Sequence, residues 1–95
     1  MNEAYFVGQI TVNDEDKWDE YRSKVPETLT PWGAELVFRG TQTHILPGGS
    51  AHPYIVVIRF TSLADAQGWH NSEAYQALVP LRQKAADVVG MIYET

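Results

Sequence analysis

The stretch YIVVIRF (54–60) is nearly continuous in apolar residues. An apolar run of strand length predicts a strand covered on both faces, and so a central place in a sheet. AYFVGQITV (4–12) reads the same way, with Tyr5 and Val7 on one face and Phe6, Ile10 and Val12 on the other. Two such strands require a fold that covers both sides of its sheet.

The remaining segments arrange themselves around these two. NDEDKWDEYRSKVPETL opens with Asn13 or Asp14 as a helix cap, and Asp14, Glu15 and Asp16 put negative charge at the helix's positive end. Trp18, Tyr21, Val25 and Leu29 make one apolar stripe, and Pro26 predicts a kink or an early end. Residues 34–46, AELVFRGTQTHIL, form a longer extended run in which Gly40 predicts a bulge. PGGSAHP (47–53) is a connection rather than a domain boundary. Ser62, with Asp65 three residues on, caps a second helix that restarts after Asn71 and Ser72 and breaks again at Pro80. VVGMIYE (88–94) is the last strand.

Strand, helix, strand, strand, helix, strand is the ferredoxin-like order, an α+β class with an antiparallel sheet and both helices on one face. Its first and third strands are central, and here these are the two most apolar. A chain of 95 residues suits one domain over 1–95. The sheet face away from the helices is also apolar, and a second copy of the chain is its economical cover. The expectation is a homodimer packed sheet on sheet. Three Trp, five Tyr and three Phe exceed the needs of one small core, so some rings are expected at a pocket or an interface.

A net charge of −5, with seven scattered Lys and Arg, argues against nucleic acid and anionic membrane surfaces as partners. The absence of cysteine removes thiolate chemistry and disulfides and favours a reducing cytoplasm. The first residues carry no basic-then-apolar leader, and no segment has the length of a membrane span. His44, His52 and His70 have no metal-ligand spacing, and PGGS lacks the lysine of a phosphate loop. Neither a metal nor a cofactor is expected.

Several residues carry the chemical interest. Tyr75 and Arg82 are seven positions apart, nearly aligned on one helical face among Leu78, Val79, Ala85 and Ala86. A guanidinium there needs a carboxylate, several carbonyl oxygens or an anionic ligand. The ordinary reading pairs Arg82 with an acid such as Asp14, Glu35 or Glu94; the sharper one makes it an anchor for a ligand carboxylate or enolate. Trp69 and His70 lie beside the apolar side of their helix, where His70 is a half-buried residue, a general base or a haem ligand. Arg39 and His44 fall on opposite faces of the second strand. Arg59 shares a face with Ile55 and Val57, where pairing with glutamates across strands competes with a cationic pocket.

Taken in order, Asp14, Tyr21, the Gly33 turn, VFRG with Arg39, the step from Phe60 to Ser62, and W-x-x-S-x-x-Y followed by Arg82 resemble the bacterial family known as domain of unknown function 1330. The resemblance runs over nearly the whole chain. That family is similar to the dimeric α/β-barrel superfamily, which implies the same ferredoxin-like dimer with a cleft between sheet and helices. The superfamily includes cofactor-free monooxygenases, haem-degrading enzymes, isomerases and stress-response proteins. Where such sequences often have Glu-Gly after the second strand, this one has Pro47-Gly48.

Three functions follow. The first is a small-molecule binder or cofactor-independent oxygenase or isomerase. Its cleft would be lined by Arg39, Trp69, Tyr75 and Arg82, with His44 or His70 as base and an aromatic or anionic ligand. The second is a non-enzymatic homodimer in which the rings are core and Arg82 is a structural pair. The third, ranked last, is haem degradation with His70 as axial ligand.

Overall fold

A computed structural model describes residues 2–95. Strand β1 (Ala4–Val12) leads into helix α1 (Glu15–Leu29), a short 3-10 turn (Thr30–Trp32) and strand β2 (Glu35–Thr41). Strand β3 (Tyr54–Phe60) follows, then helices α2 (Leu63–Asn71), α3 (Glu73–Gln76) and α4 (Val79–Ala85), and strand β4 (Ala86–Glu94). The sheet order is β2-β3-β1-β4 with every pair antiparallel, so the two apolar strands are central as their composition requires. This is the ferredoxin-like arrangement, with the helices on one face.

Local chemistry sets the helix limits. Asp14 caps α1, its carboxylate accepting the Lys17 N–H at 3.1 Å. The stripe Trp18, Tyr21, Val25 and Leu29 is buried against Phe6, Ile10, Val56, Ile58 and Phe60 of the sheet. Pro26 lies inside α1 and does not end it early, contrary to one of the two outcomes expected from sequence. Pro26 is exposed, so the backbone bond it forfeits lies on the solvent side, while buried Val25, Thr28 and Leu29 hold the turn by packing. Gly33 closes the 3-10 turn in the left-handed region at φ 62°, which only glycine adopts without strain.

The second helical segment is divided as its polar residues predict. Ser62 caps α2 by accepting the Asp65 N–H, and Ser72 caps α3 by accepting the Tyr75 N–H. Pro80 sits in the first turn of α4, where its missing N–H has no intrahelical role, so the break precedes it.

Strand β2 differs from the sequence reading in two ways. Its bulge lies between Leu36 and Phe38, not at Gly40. It also ends at Thr41, and the backbone bond Gln42 N–H to Pro53 carbonyl, 2.7 Å, closes the pairing. Beyond it no strand among the described residues pairs with the chain, and His44 is an exposed loop residue whose Nδ1 meets Thr43 Oγ1 at 3.0 Å.

One face of the sheet is therefore covered and the other is not. Phe38, Val89 and Tyr93 on that second face are about half exposed, and Tyr5, Val7, Ile55, Val57 and Met91 are partly so. Arg59 is on this face too, bonded to Glu3 and Glu35, the pairing with glutamates that its strand position suggested. Those carboxylates raise the Arg59 pKa above its ordinary value, Glu3 contributing most.

Candidate functional site

The covered face brings five predicted residues toward one seam between sheet and helices. Helix α2 supplies Trp69 and His70, α3 supplies Tyr75 and α4 supplies Arg82. Arg39 arrives from β2 because of the bulge. It turns Phe38 outward opposite Val57 and sets Arg39 opposite the buried Val56, on the helix side. His44 is not part of this seam.

Trp69 and Tyr75 are each 1% exposed and belong to the core. Their rings pack at 4.3 Å between centroids, with Phe6 and Phe60 against the indole at 5.4 and 5.5 Å. The Trp69 indole N–H donates to Thr28 Oγ1 at 3.0 Å, which satisfies a buried donor. Gly90 and Gly8 face each other across β4 and β1, and a methyl on Gly90 would stand 2.9 Å from the Phe6 ring. The glycine pair is what lets Phe6 lie flat enough to reach Trp69.

At the centre of the seam the hydroxyls of Tyr21 and Tyr75 are 2.9 Å apart. Arg82 Nη1 donates to the Tyr75 hydroxyl at 2.8 Å. Among the described residues no carboxylate lies within 4.0 Å of Arg82, so the acids suggested by the sequence, Asp14, Glu35 and Glu94, are not its partners. Burial, reinforced by the neighbouring Tyr75, raises the Tyr21 phenol far above its ordinary pKa, and Arg82 and Arg39 only partly offset this. Tyr21 is thus a neutral hydroxyl at any physiological pH. The guanidinium of Arg39, partly desolvated and close to Arg22, has its pKa lowered.

Two open clefts flank this pair. One, about 370 Å³, lies toward β4 between Phe6, His70, Arg82, Val88 and Ile92. The other, about 310 Å³, lies toward β2 between Ile10, Trp18, Arg22, Arg39 and Tyr54. A void of about 30 Å³ bounded by Tyr21, Arg39, Trp69 and Tyr75 separates them. Sequence reasoning missed Tyr21, Arg22, Trp18 and Tyr54 as site residues. A tyrosine in a buried stripe was the available signal, since its hydroxyl has to find a partner. Among the described residues no group of three or more His, Asp or Glu is placed to hold a metal ion, and no helix is long and apolar enough to cross a membrane.

The fold and this seam define a ferredoxin-like α+β protein with an arginine-flanked cleft under its helices. Residues 3–95 match the family model described as "Domain of unknown function (DUF1330)", and the chain belongs to that family. Solved structures share the fold at low identity. RPA0582 of Rhodopseudomonas palustris, a protein of unknown function, superposes with a TM-score of 0.78 at 13% identity, over 97% of this chain and 81% of that one. SnoaB of Streptomyces nogalater, a cofactor-independent oxygenase, gives 0.71 at 8% identity, over 98% and 92%. A dimeric ferredoxin-like protein of unknown function from Jannaschia gives 0.69 at 14% identity, over 98% and 99%. No curated protein sequence matches the chain.

Proposed function

We propose that residues 1–95 act as one domain that binds a small aromatic or anionic molecule in the seam between sheet and helices. In this reading the domain works as a cytoplasmic homodimer joined through the open sheet face. The observation that carries the ligand reading is the contrast between arginines. Arg59 is paired with two glutamates, whereas Arg39 and Arg82 reach the seam with no carboxylate within 4.0 Å among the described residues. A half-buried guanidinium with only a phenol for a partner has unused donors suited to an anionic oxygen. Trp69 and Tyr75 serve as the rigid wall behind it, and His70 stands beside Arg82 in the β4-side cleft.

The reaction such a site would serve is oxygenation or isomerisation without a cofactor. His70 would take a carbon-bound proton and an arginine would hold the resulting enolate oxygen; in isomerisation His70 returns the proton at another carbon, and in oxygenation the enolate reacts with dioxygen as the second substrate. The likeness to SnoaB supports this choice of chemistry, and the dimeric relatives support the dimer.

Native mass spectrometry of the purified protein tests the reading. The expected result is a dimer mass carrying a retained small molecule, lost in Arg82→Leu while the circular dichroism is unchanged. Retention undiminished in a folded Arg82→Leu variant would remove the anchor, and a clean monomer would undo the dimer.

A further inference from the structure

The β2-side cleft has features that the β4-side cleft lacks. Two guanidinium groups, Arg22 from α1 and Arg39 from β2, line the same space. Among the described residues neither has a carboxylate within 4.0 Å. Both arginines are exposed residues, and the only acids lining the same space among the described residues, Glu15 and Asp19, lie beyond ion-pair distance, so solvent carries most of the screening of the two like charges. The repulsion is registered in Arg39, whose pKa falls through partial desolvation and the nearby Arg22 charge. The other walls are flat and apolar: the Trp18 indole, which is buried, the Tyr54 ring, which is 41% exposed, and Ile10 and Val12. A volume of about 310 Å³ is at the small end for ligand sites and takes one aromatic ring with its substituents. Glu15 and Asp19 stand at the rim on the exposed side of α1. They disfavour an anion beside them, which leaves Arg22 and Arg39 as its partners in the cleft.

We infer that this cleft binds a single-ring aromatic acid carrying two carboxylates, its ring against Tyr54 and the exposed edge of Trp18 and its two anionic groups on Arg22 and Arg39. This goes beyond the ligand reading given above, which centres on Arg82 in the β4-side cleft, and gives the β2-side cleft a ligand class of its own. The arginines supply forked donors that match carboxylates, and the rings supply stacking area. Trp18 and Arg22 lie one turn apart on α1, so one helix presents both the ring and the charge.

The probes are phthalate, benzoate and benzamide, which share a ring and differ in charge by one unit each. Binding is followed by tryptophan fluorescence and, independently, by calorimetry. Phthalate is expected to bind at least about tenfold more tightly than benzamide, with benzoate between. Arg22→Gln, on an exposed helix position, should bring phthalate to the level of benzoate, and Arg39→Gln should weaken both acids. Trp18→Phe should abolish the fluorescence change while calorimetric binding persists in weakened form. Equal affinity for phthalate and benzamide, or phthalate binding indifferent to Arg22→Gln and Arg39→Gln in folded variants, would overturn the assignment. A retained molecule that is lost in Arg82→Leu, in a protein that shows no phthalate preference, would sink this inference and leave the broader ligand reading standing.

Discussion

Tyr75 shows how one hydroxyl couples three elements. It accepts from Arg82 on α4 and exchanges a hydrogen bond with Tyr21 on α1, while its ring packs on Trp69 of α2. Tyr75→Phe keeps the ring and strips the partners from two groups at once. The expected cost is about 1–3 kcal/mol in urea unfolding, the usual range when a buried donor loses its acceptor. Tyr21→Phe should cost a similar amount. The double variant should cost clearly less than the sum, because each single change breaks the same bond. Strictly additive costs would mean that the two hydroxyls do not depend on each other. The juxtaposition of Tyr75 and Arg82 was legible in their spacing of seven. The direction of Arg39 was only half so. Parity alone put it opposite His44, but its aim toward the helices depends on a bulge between Leu36 and Phe38 that no Gly or Pro announces. Tyr75 meets Arg82 and packs on Trp69, and the near-complete burial of both rings makes them walls rather than open surface.

Among the elements, α1 offers a pH test. The Asp14 carboxylate accepts the Lys17 backbone N–H and faces its ammonium at 3.3 Å, and these contacts hold its pKa below the ordinary 3.8. A carboxyl depressed in the folded state stabilises that state above its unfolded pKa, and the contribution disappears as the pH falls through the folded value. Asn at this position keeps the capping oxygen and removes only the charge. Asp14→Asn should therefore melt below the wild type at neutral pH, and the two melting curves should converge on acidification past 3.8. A gap that persisted in acid would assign the effect to cap geometry instead of charge. The caps at Asp14, Ser62 and Ser72 were readable because a short polar side chain next to an apolar period has a local mechanism. The course of α1 through Pro26 was not, because the packing of Val25, Thr28 and Leu29 that sustains it is tertiary. For the same reason the run 34–46 overstates β2: extended propensity continues past Thr41, but β3 begins only at Tyr54 and offers no further partner.

At the scale of the whole molecule, the apolar pattern of β1 and β3 asks for cover on both faces, and one chain supplies it on one. The open face carries half-exposed Phe38, Val89 and Tyr93, with Val57 between Val7 and Phe38 near its middle. Its one embedded cation, Arg59, is already bonded to Glu3 and Glu35, so covering this face with a second copy would not bury an unpaired guanidinium. Val57→Lys places an ammonium there with no acid opposite. In the single chain the lysine can reach water across an open face, so the fold should persist by circular dichroism. In a sheet-on-sheet dimer two such lysines would be desolvated together, and light scattering should report half the wild-type mass. Arg59→Leu is the matched control: it removes a charge from the same face without adding one, and the dimer mass should hold. A folded Val57→Lys protein that kept the dimer mass would place the interface elsewhere, and the apolar face would then require a different cover.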